Sequence, residues 1–368
     1  MARPLLVTDR RILEGPAGRR LLALLGAAVA VFDGCGVDGR VADVDACAAR
    51  MRAEGLDGVV GLGGGSALCT AKGAAIAATS GAVRALEGLA DLPAEPAPFV
   101  LIPTTAGSGT EVSPFTILRD DLDGAKFTIG GPSGFARAAI LDPLSLEGLP
   151  PQVAAPAAVD ALSHAFEAAT SLRATPLSDA LAQRAVRLLF AALEGSIIHG
   201  DVAARGDNLL GSSLANLACG QARLGLAHRL ARPLEKATGA SHGRTIGALL
   251  PLTLQAALQA RLDVVPDLAR DMGLQDHTPD AVVEALRALY DRIGFDPTLP
   301  PADTDAATIA RAALHRRGEP EPTPNAGDAA LVPAANGQSL PLGAARSLLA
   351  QVLSGDQSAG ASITTALS

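Results

Sequence analysis

The chain has 368 residues, 48% of them hydrophobic and only 2% aromatic, with a net charge of −8. A chain of this length accommodates two domains with well-buried cores, and its Ala-, Leu- and Val-rich composition excludes a disordered polymer. No basic patch interleaved with aromatics occurs, which excludes a nucleic-acid role, because neutralising phosphates requires clustered Lys and Arg.

In chain order, strands are expected at 4–9 (PLLVTD), 27–33 (AAVAVFD), 57–66 (DGVVGLGGGS), 98–105 (PFVLIPTT) and 138–143 (AAILDP). Helical stretches at 11–25, 41–54 and 67–78 separate the first four. This alternation predicts a doubly wound, Rossmann-like parallel sheet over residues 1–150. After LPP at 149–151 the pattern becomes long, Ala/Leu-rich and helical, at 153–170, 176–194, 202–222, 244–260 and 279–293, with no convincing strand. An all-α domain is therefore expected over 151–368. Within it, 316–343 is rich in Pro, Gly, Asn and Asp and reads as a long loop, and the small, polar last ten residues read as a disordered tail. The longest early apolar run, 21–32, has 12 residues and is too short to cross a bilayer. No apolar core with a cleavage site follows the first residues, so a cytoplasmic protein without a signal peptide is expected. Cys35, Cys47, Cys69 and Cys219 show no C-x-x-C spacing and are expected to be reduced thiols.

Two strand-to-turn junctions carry candidate ligand chemistry. In GLGGGSALCTAK (61–72) a strand runs into glycines and opens a helix. Gly63, Gly64, Gly65 and Ser66 could cradle a pyrophosphate, because glycines permit close backbone approach and the helix start offers free N–H groups. The motif is neither G-x-G-x-x-G nor a P-loop, and a purely structural glycine turn stays open. In IPTTAGSGTE (102–111), Thr104, Thr105 and Ser108 would offer hydroxyls where a parallel strand delivers its carboxyl end. Asp9 stands at the tip of the first strand, where a carboxylate holds ribose hydroxyls and favours NAD over NADP. Arg10 and Arg11 temper that preference, and Asp9 could equally cap the following helix.

A metal set is assembled from three segments. In VDALSHAFEA (159–168), Asp160 and His164 are four residues apart and share one helix face, with Glu167 three further on and able to orient the site. GLAHRLARPLEKATGASHG (225–243) holds His228 and His242, two of only six histidines. Alone, neither pair is persuasive. Together they make one carboxylate and three imidazoles, a set suited to Fe²⁺ or Zn²⁺.

These elements resemble the iron-containing (group III) alcohol dehydrogenases, whose fold is related to glycerol dehydrogenase and dehydroquinate synthase. The resemblance is carried by GGGSALCTAK, IPTTAGSGTEVSPF, AILDP, DALSHAFEA, ATPLSDALA and GLAHRLARPLEKATGASHG, in family order across about residues 4–260. It implies metal ligands at Asp160, His164, His228 and His242. It implies NAD(H) or NADP(H) contacts at Asp9, Gly64, Gly65, Ser66, Thr104, Thr105, Ser108 and Lys126. The activity it implies is hydride transfer between nicotinamide and a small aldehyde or alcohol, in a homodimer bound to neither membrane nor nucleic acid.

Three departures from the family pattern qualify this expectation. Family members usually carry a further strand and glycine turn before the strand that ends in the acid, a piece that commonly contributes dimer contacts. The family's GGGS-x-x-D has Cys69 at the aspartate position, which replaces a charge in the cofactor site by a weakly polar thiol. Arg232 stands where the alcohol dehydrogenases place a histidine thought to serve proton transfer. Arginine stays protonated and cannot be a general base, but its guanidinium suits a carboxylate, phosphonate or phosphate on an aldehyde substrate. An Arg232 turned to solvent or paired with Glu235 is the alternative. A repurposed, non-catalytic member of the family, or a dehydroquinate synthase-like lyase, is the competing functional expectation.

Overall fold

A computed structural model describes residues 1–26, 29–314, 327 and 330–355. The chain forms two compact units. One comprises Met1–Pro150 with Gly200–Ser213, and the other comprises Pro151–His199 with the described residues from Leu214 onward. Residues 200–213, expected with the helical domain, thus cluster with the first unit.

The first unit runs β1 (Pro4–Val7), α1 (Arg10–Glu14), α2 (Pro16–Leu25), β2 (Ala30–Phe32), α3 (Val41–Glu54), β3 (Gly58–Gly63), α4 (Gly65–Ser80), β4 (Phe99–Pro103), β5 (Phe115–Arg119), β6 (Lys126–Gly130) and β7 (Ala138–Ala139). Five strands form one parallel sheet in the order β2-β1-β3-β4-β7. The period-2 alternation of a strand sorts its side chains into two cores. Leu5, Val7, Val59, Phe99 and Leu101 pack with Leu68, Ala71 and Ala75 of α4 on one face. Leu6, Val60, Leu62 and Ile102 pack with Ile12, Leu13, Leu21 and Leu22 on the other. Burial on both faces explains why β3 reads as an unbroken buried run. The chain passes outward from β1 to β2 and then crosses back to β3 on the other side of β1. That makes the carboxyl ends of β1 and β3 the switch point of the sheet, where ligands of such folds bind.

The strands are shorter than the sequence led us to expect. β1 stops at Val7, because Asp9 already caps α1, and β3 stops at Gly63, because Gly65 already belongs to α4. The antiparallel hairpin β5–β6 was not anticipated; its outer face keeps Phe115 and Ile117 about two-fifths exposed, so its apolar alternation does not mark a buried strand.

The second unit contains α5 (Pro151–Ala169), α6 (Pro176–Glu194), the end of α7 (Val202–Ala222), α8 (Leu226–Thr238), α9 (His242–Ala260), α10 (Val265–Asp271), α11 (Pro279–Arg292), α12 (Ala306–Ala312), β8 (Leu331–Pro333), β9 (Ser339–Pro341) and α13 (Leu342–Ser354). Its core packs α5 against α6, α9 and α11 through Val159, Leu162, Phe166, Leu189, Leu250 and Leu286. The β8–β9 hairpin and the start of α13 correct the expectation of a strandless loop over 316–343. Val332, Leu340, Leu342 and Leu349 are buried against α8 and α9, so this stretch folds by tertiary packing despite its turn-rich composition. The parts of that stretch at 316–326 and 328–329, and the polar tail, lie outside the described residues. Among the described residues no helix is long and apolar enough to cross a membrane.

Candidate metal centre and dinucleotide cradle

The metal candidates all lie in the second unit. Helix α5 sets Asp160 and His164 one turn apart, both buried, and Glu167 one turn further. Helix α8 presents His228 in its first turn, and α9 begins at His242. Asp160 Oδ1 lies 3.6 Å from His228 Nε2 and 3.5 Å from His242 Nε2. The His164 and His228 rings are 4.6 Å apart, and the His228 and His242 rings 5.5 Å apart. One donor atom each from Asp160, His164 and His228 fall within 4.8 Å of one another. His242 stands at the rim, its side chain 41% exposed, and reaches the cluster through Asp160.

Three atoms here test whether these residues suit a cation. Asp160 Oδ1, His164 Nδ1 and His228 Nε2 are buried and make no hydrogen bond. Leaving a buried polar atom unpaired costs about 1–3 kcal/mol, and protein interiors rarely tolerate several together. A carboxylate oxygen with imidazole nitrogens is the donor set of Fe²⁺ and Zn²⁺ sites. The residues fit.

Two further carboxylates turn the imidazoles. Glu167 Oε2 accepts from His228 Nδ1 and from the backbone N–H of Gly225, both at 2.7 Å, and Oε1 accepts from the His228 N–H at 3.3 Å. Glu235 Oε1 takes the same role toward His242 Nδ1 at 2.5 Å. With Nδ1–H donated, each ring directs Nε2 toward Asp160, which is how partner carboxylates orient metal-ligating histidines. Burial would raise the pKa of Asp160, but His164, His242 and His228 more than reverse this and hold it well below the usual carboxylate range. Burial pushes His164 down to about 4 despite Asp160, so it is a neutral imidazole near pH 7. His228 is carried up to about 10, because Glu167 and Asp160 outweigh its burial. The role of Glu235 escaped the sequence reading, which considered it only as a partner for Arg232. Its i, i+7 spacing from His228 was the available signal.

Arg232 is exposed, one turn after His228 on α8. Leu226, Ala227, Leu230, Ala231, Leu234 and Ala237 bury the opposite face of this helix. His228, Arg232 and Glu235 therefore share the side that carries the cluster.

The cofactor candidates all lie in the first unit: Asp9, Gly64, Gly65, Ser66, Thr104, Thr105 and Ser108 follow the carboxyl ends of β1, β3 and β4, whereas Cys69 stands within α4 and Lys126 opens β6. The turns after β3 and β4 touch where glycine is required. A Cβ on Gly64 would stand 3.2 Å from Thr105, and one on Gly65 3.0 Å from Ser108 Cβ. Gly63 has φ +154, and a Cβ there would meet Ala67 at 2.6 Å. The hydroxyl of Thr104 is buried without a hydrogen-bond partner. The glycines are thus required by the close packing of the two turns, and the unpaired Thr104 hydroxyl beside the start of α4 fits a phosphate-bearing ligand. Ser66 Oγ accepts from the Asp38 N–H at 3.0 Å, and the Asp38 carboxylate pairs with Lys126 at 3.0 Å. Cys69 Sγ lies 3.6 Å from Thr110 Oγ1. Asp9 accepts from the Ile12 N–H at 3.0 Å and so caps α1. Arg10 is drawn to Asp33 at 3.1 Å.

The comparisons with known proteins give the class to which this architecture belongs. Residues 1–143 match iron-containing alcohol dehydrogenase, and residues 154–327 match the C-terminal part of the Fe-containing alcohol dehydrogenase family. The chain is 30% identical to lactaldehyde reductase of Escherichia coli (strain K12), over 84% of this chain and 85% of that one. It is 37% identical to the probable alcohol dehydrogenase EutG of Salmonella typhimurium over 64% of its own length, and spans only 60% of that protein. The crystal structure of sulfoacetaldehyde reductase from Bifidobacterium kashiwanohense in complex with NAD⁺ superposes with a TM-score of 0.79 at 26% identity, covering 97% of this chain and 91% of that one. The chain belongs to the iron-containing alcohol dehydrogenase family.

Proposed function

We propose that this protein is a metal-dependent, NAD(H)-linked alcohol dehydrogenase or aldehyde reductase that favours small aldehydes bearing an anionic group. The observation that carries the reading is that Asp160, His164 and His228 each bring a donor atom within 4.8 Å of the others and each hold a buried polar atom without a hydrogen bond, with His242 at their rim. A bound Fe²⁺ or Zn²⁺ supplies Lewis acidity toward a carbonyl or alcohol oxygen. Asp160, His164, His228 and His242 would hold it, and Glu167 and Glu235 keep His228 and His242 turned toward it. Gly64, Gly65, Ser66, Thr104, Thr105, Ser108 and Lys126 bind the dinucleotide, with Cys69 beside them. Asp9 reads its ribose. Asp33 supports the choice of NAD(H) over NADP(H) by holding Arg10, which would otherwise attract a 2′-phosphate.

Arg232 sets the substrate class. No base occupies its position, so the residue contributes charge recognition rather than proton transfer. The sulfoacetaldehyde reductase that superposes on this chain is named for an anionic aldehyde, which supports the reading. The protein acts in the cytoplasm, consistent with four free cysteines. It forms a homodimer, for which the exposed Phe115 and Ile117 offer apolar surface.

The test is kcat/KM for succinic semialdehyde against butanal, with wild type and Arg232→His. A charge-assisted contact contributes about 1.5–3 kcal/mol, or about 10- to 150-fold in selectivity. The wild type should prefer the anionic substrate by that factor and the variant should lose the preference. Equal selectivity in the two proteins refutes the role of Arg232.

A further inference from the structure

Behind the metal cluster, three distant parts of the second unit meet in a buried polar junction. The first is the end of α5 and the residues after it, the second is the link between α7 and α8, and the third is the turn between β8 and β9. At its centre is Asn336, which has no exposed surface. Its backbone N–H donates to Leu224 O at 3.0 Å, and its carbonyl accepts from the Leu172 N–H at 3.1 Å and from Ser171 Oγ at 3.2 Å. The single Ser171 hydroxyl proton is shared with Ala222 O, the nearer acceptor at 2.7 Å. The Asn336 side chain donates to Gln338 Oε1 at 2.9 Å and accepts from the Gln338 N–H at 3.1 Å, while Gln338 Nε2 donates to Thr170 O at 3.1 Å.

The junction abuts the group that orients His228. A Cβ on Gly225 would stand 2.9 Å from both Asn336 Nδ2 and Glu167 Cδ, so Asn336 and Glu167 both pack directly against Gly225 and leave no room there for a side chain. Gly225 donates its N–H to Glu167, and Glu167 accepts from His228 Nδ1. Just before it, Arg223 adopts φ 72, a conformation that costs a non-glycine residue energy and persists only where its surroundings hold it. The turn thus ties α5, which carries Asp160, His164 and Glu167, to the entry of α8, which carries His228.

We propose that Asn336 is a positioning residue for the metal site: it fixes the Gly225–Glu167 contact and through it the His228 imidazole. This rests on the reading of His228 as a metal ligand. The hairpin lies beyond residue 327, where the family match ends, so the segment that braces the site is outside the segment by which the family is recognised. Loss of an imidazole's Nδ1 partner weakens metal binding by about 10- to 100-fold; Asn336 acts on that partner only through Gly225, so its loss should cost about 10-fold, the low end of that range.

The experiment uses the full chain stripped of metal, with Zn²⁺ affinity measured by chelator competition and the site reported by the visible absorption of bound Co²⁺. Asn336→Ala should bind Zn²⁺ about 10-fold more weakly and show an altered Co²⁺ spectrum, while its metal-free circular dichroism matches wild type. Unchanged affinity together with an unchanged Co²⁺ spectrum overturns the proposal and leaves the metal site standing. A wild-type protein that binds neither ion removes the ligand reading itself, and the proposal with it. Should Asn336→Ala fail to fold, Gln338→Ala removes the acceptor of the Asn336 side chain and leaves the backbone bonds of Asn336 in place. It should show the same loss in smaller measure, and wild-type affinity in it overturns the proposal equally.

Discussion

Lys72 is fully buried, and its charge makes the stability of the first unit depend on pH. Its ammonium, at no measurable exposure, donates to the carbonyls of Thr110 at 2.8 Å, Phe115 at 3.1 Å and Ser113, and so closes the turn that follows β4. Burial lowers its pKa from 10.5 to about 8, with Cys69 and the buried Glu111 opposing. Between these values the unfolded chain binds the proton and the folded chain has released it, so unfolding becomes harder as pH rises. At about 1.4 kcal/mol per pH unit, stability should gain about 3 kcal/mol from pH 8 to 10.5. Lys72→Met keeps the volume and removes the titration. At pH 7 it forfeits three hydrogen bonds to a charged donor, each about 1.5 kcal/mol at the low end, and is relieved of burying the charge. The net loss is about 2 kcal/mol, growing to about 5 kcal/mol at pH 10.5. Urea denaturation of both metal-free proteins from pH 7 to 10.5 measures the difference, in which the titrations of Cys35, Cys47, Cys219 and Tyr290, common to both, cancel. Parallel stability profiles would refute the reasoning, because they would mean that the Lys72 amine is no harder to protonate folded than unfolded.

Alanine at Asp160, His164 or His228 should abolish stoichiometric metal binding, and His242→Ala should weaken it less, since that side chain is 41% exposed and lies at the rim; metal analysis after dialysis checks both, and full occupancy in Asp160→Ala would dissolve the site. NADH should bind more tightly than NADPH, and Asp9→Ser should narrow the gap while sparing stability, because serine caps a helix about as well as aspartate. Fluorescence titration with both cofactors decides this, and tighter NADPH binding in the wild type would transfer the choice to Arg10 or Arg11.

Much of this protein was legible as local pattern. The alternation of apolar runs with helical stretches specified the parallel sheet, because strands buried on both faces must be apolar throughout. The four-residue spacing of Asp160 and His164 already put them on one helix face, and the glycines after β3 marked a turn that admits no side chains. Asp9 was open between helix cap and ribose ligand; the structure shows that one of its carboxylate oxygens caps α1 through Ile12, and the ribose role is a proposal tested by the cofactor titration. Other features depended on the tertiary structure. His228 and His242 reach Asp160 only because α8 and α9 pack beside α5, a convergence that no short-range spacing encodes. Glu235 bonds His242, seven residues away across a helix end, a partner that charge along the chain does not point to. The hairpin and helix from 331 to 354 arise in a stretch whose Pro, Gly and Asn read as loop. Asn336 and Gln338 find their partners at 170–172 and 222–224, and Val332 and Leu340 find a core. Periodicity and turn chemistry act between residues a few positions apart and can be read along the chain. Hydrogen bonds and packing between residues more than a hundred positions apart exist only once the chain has folded.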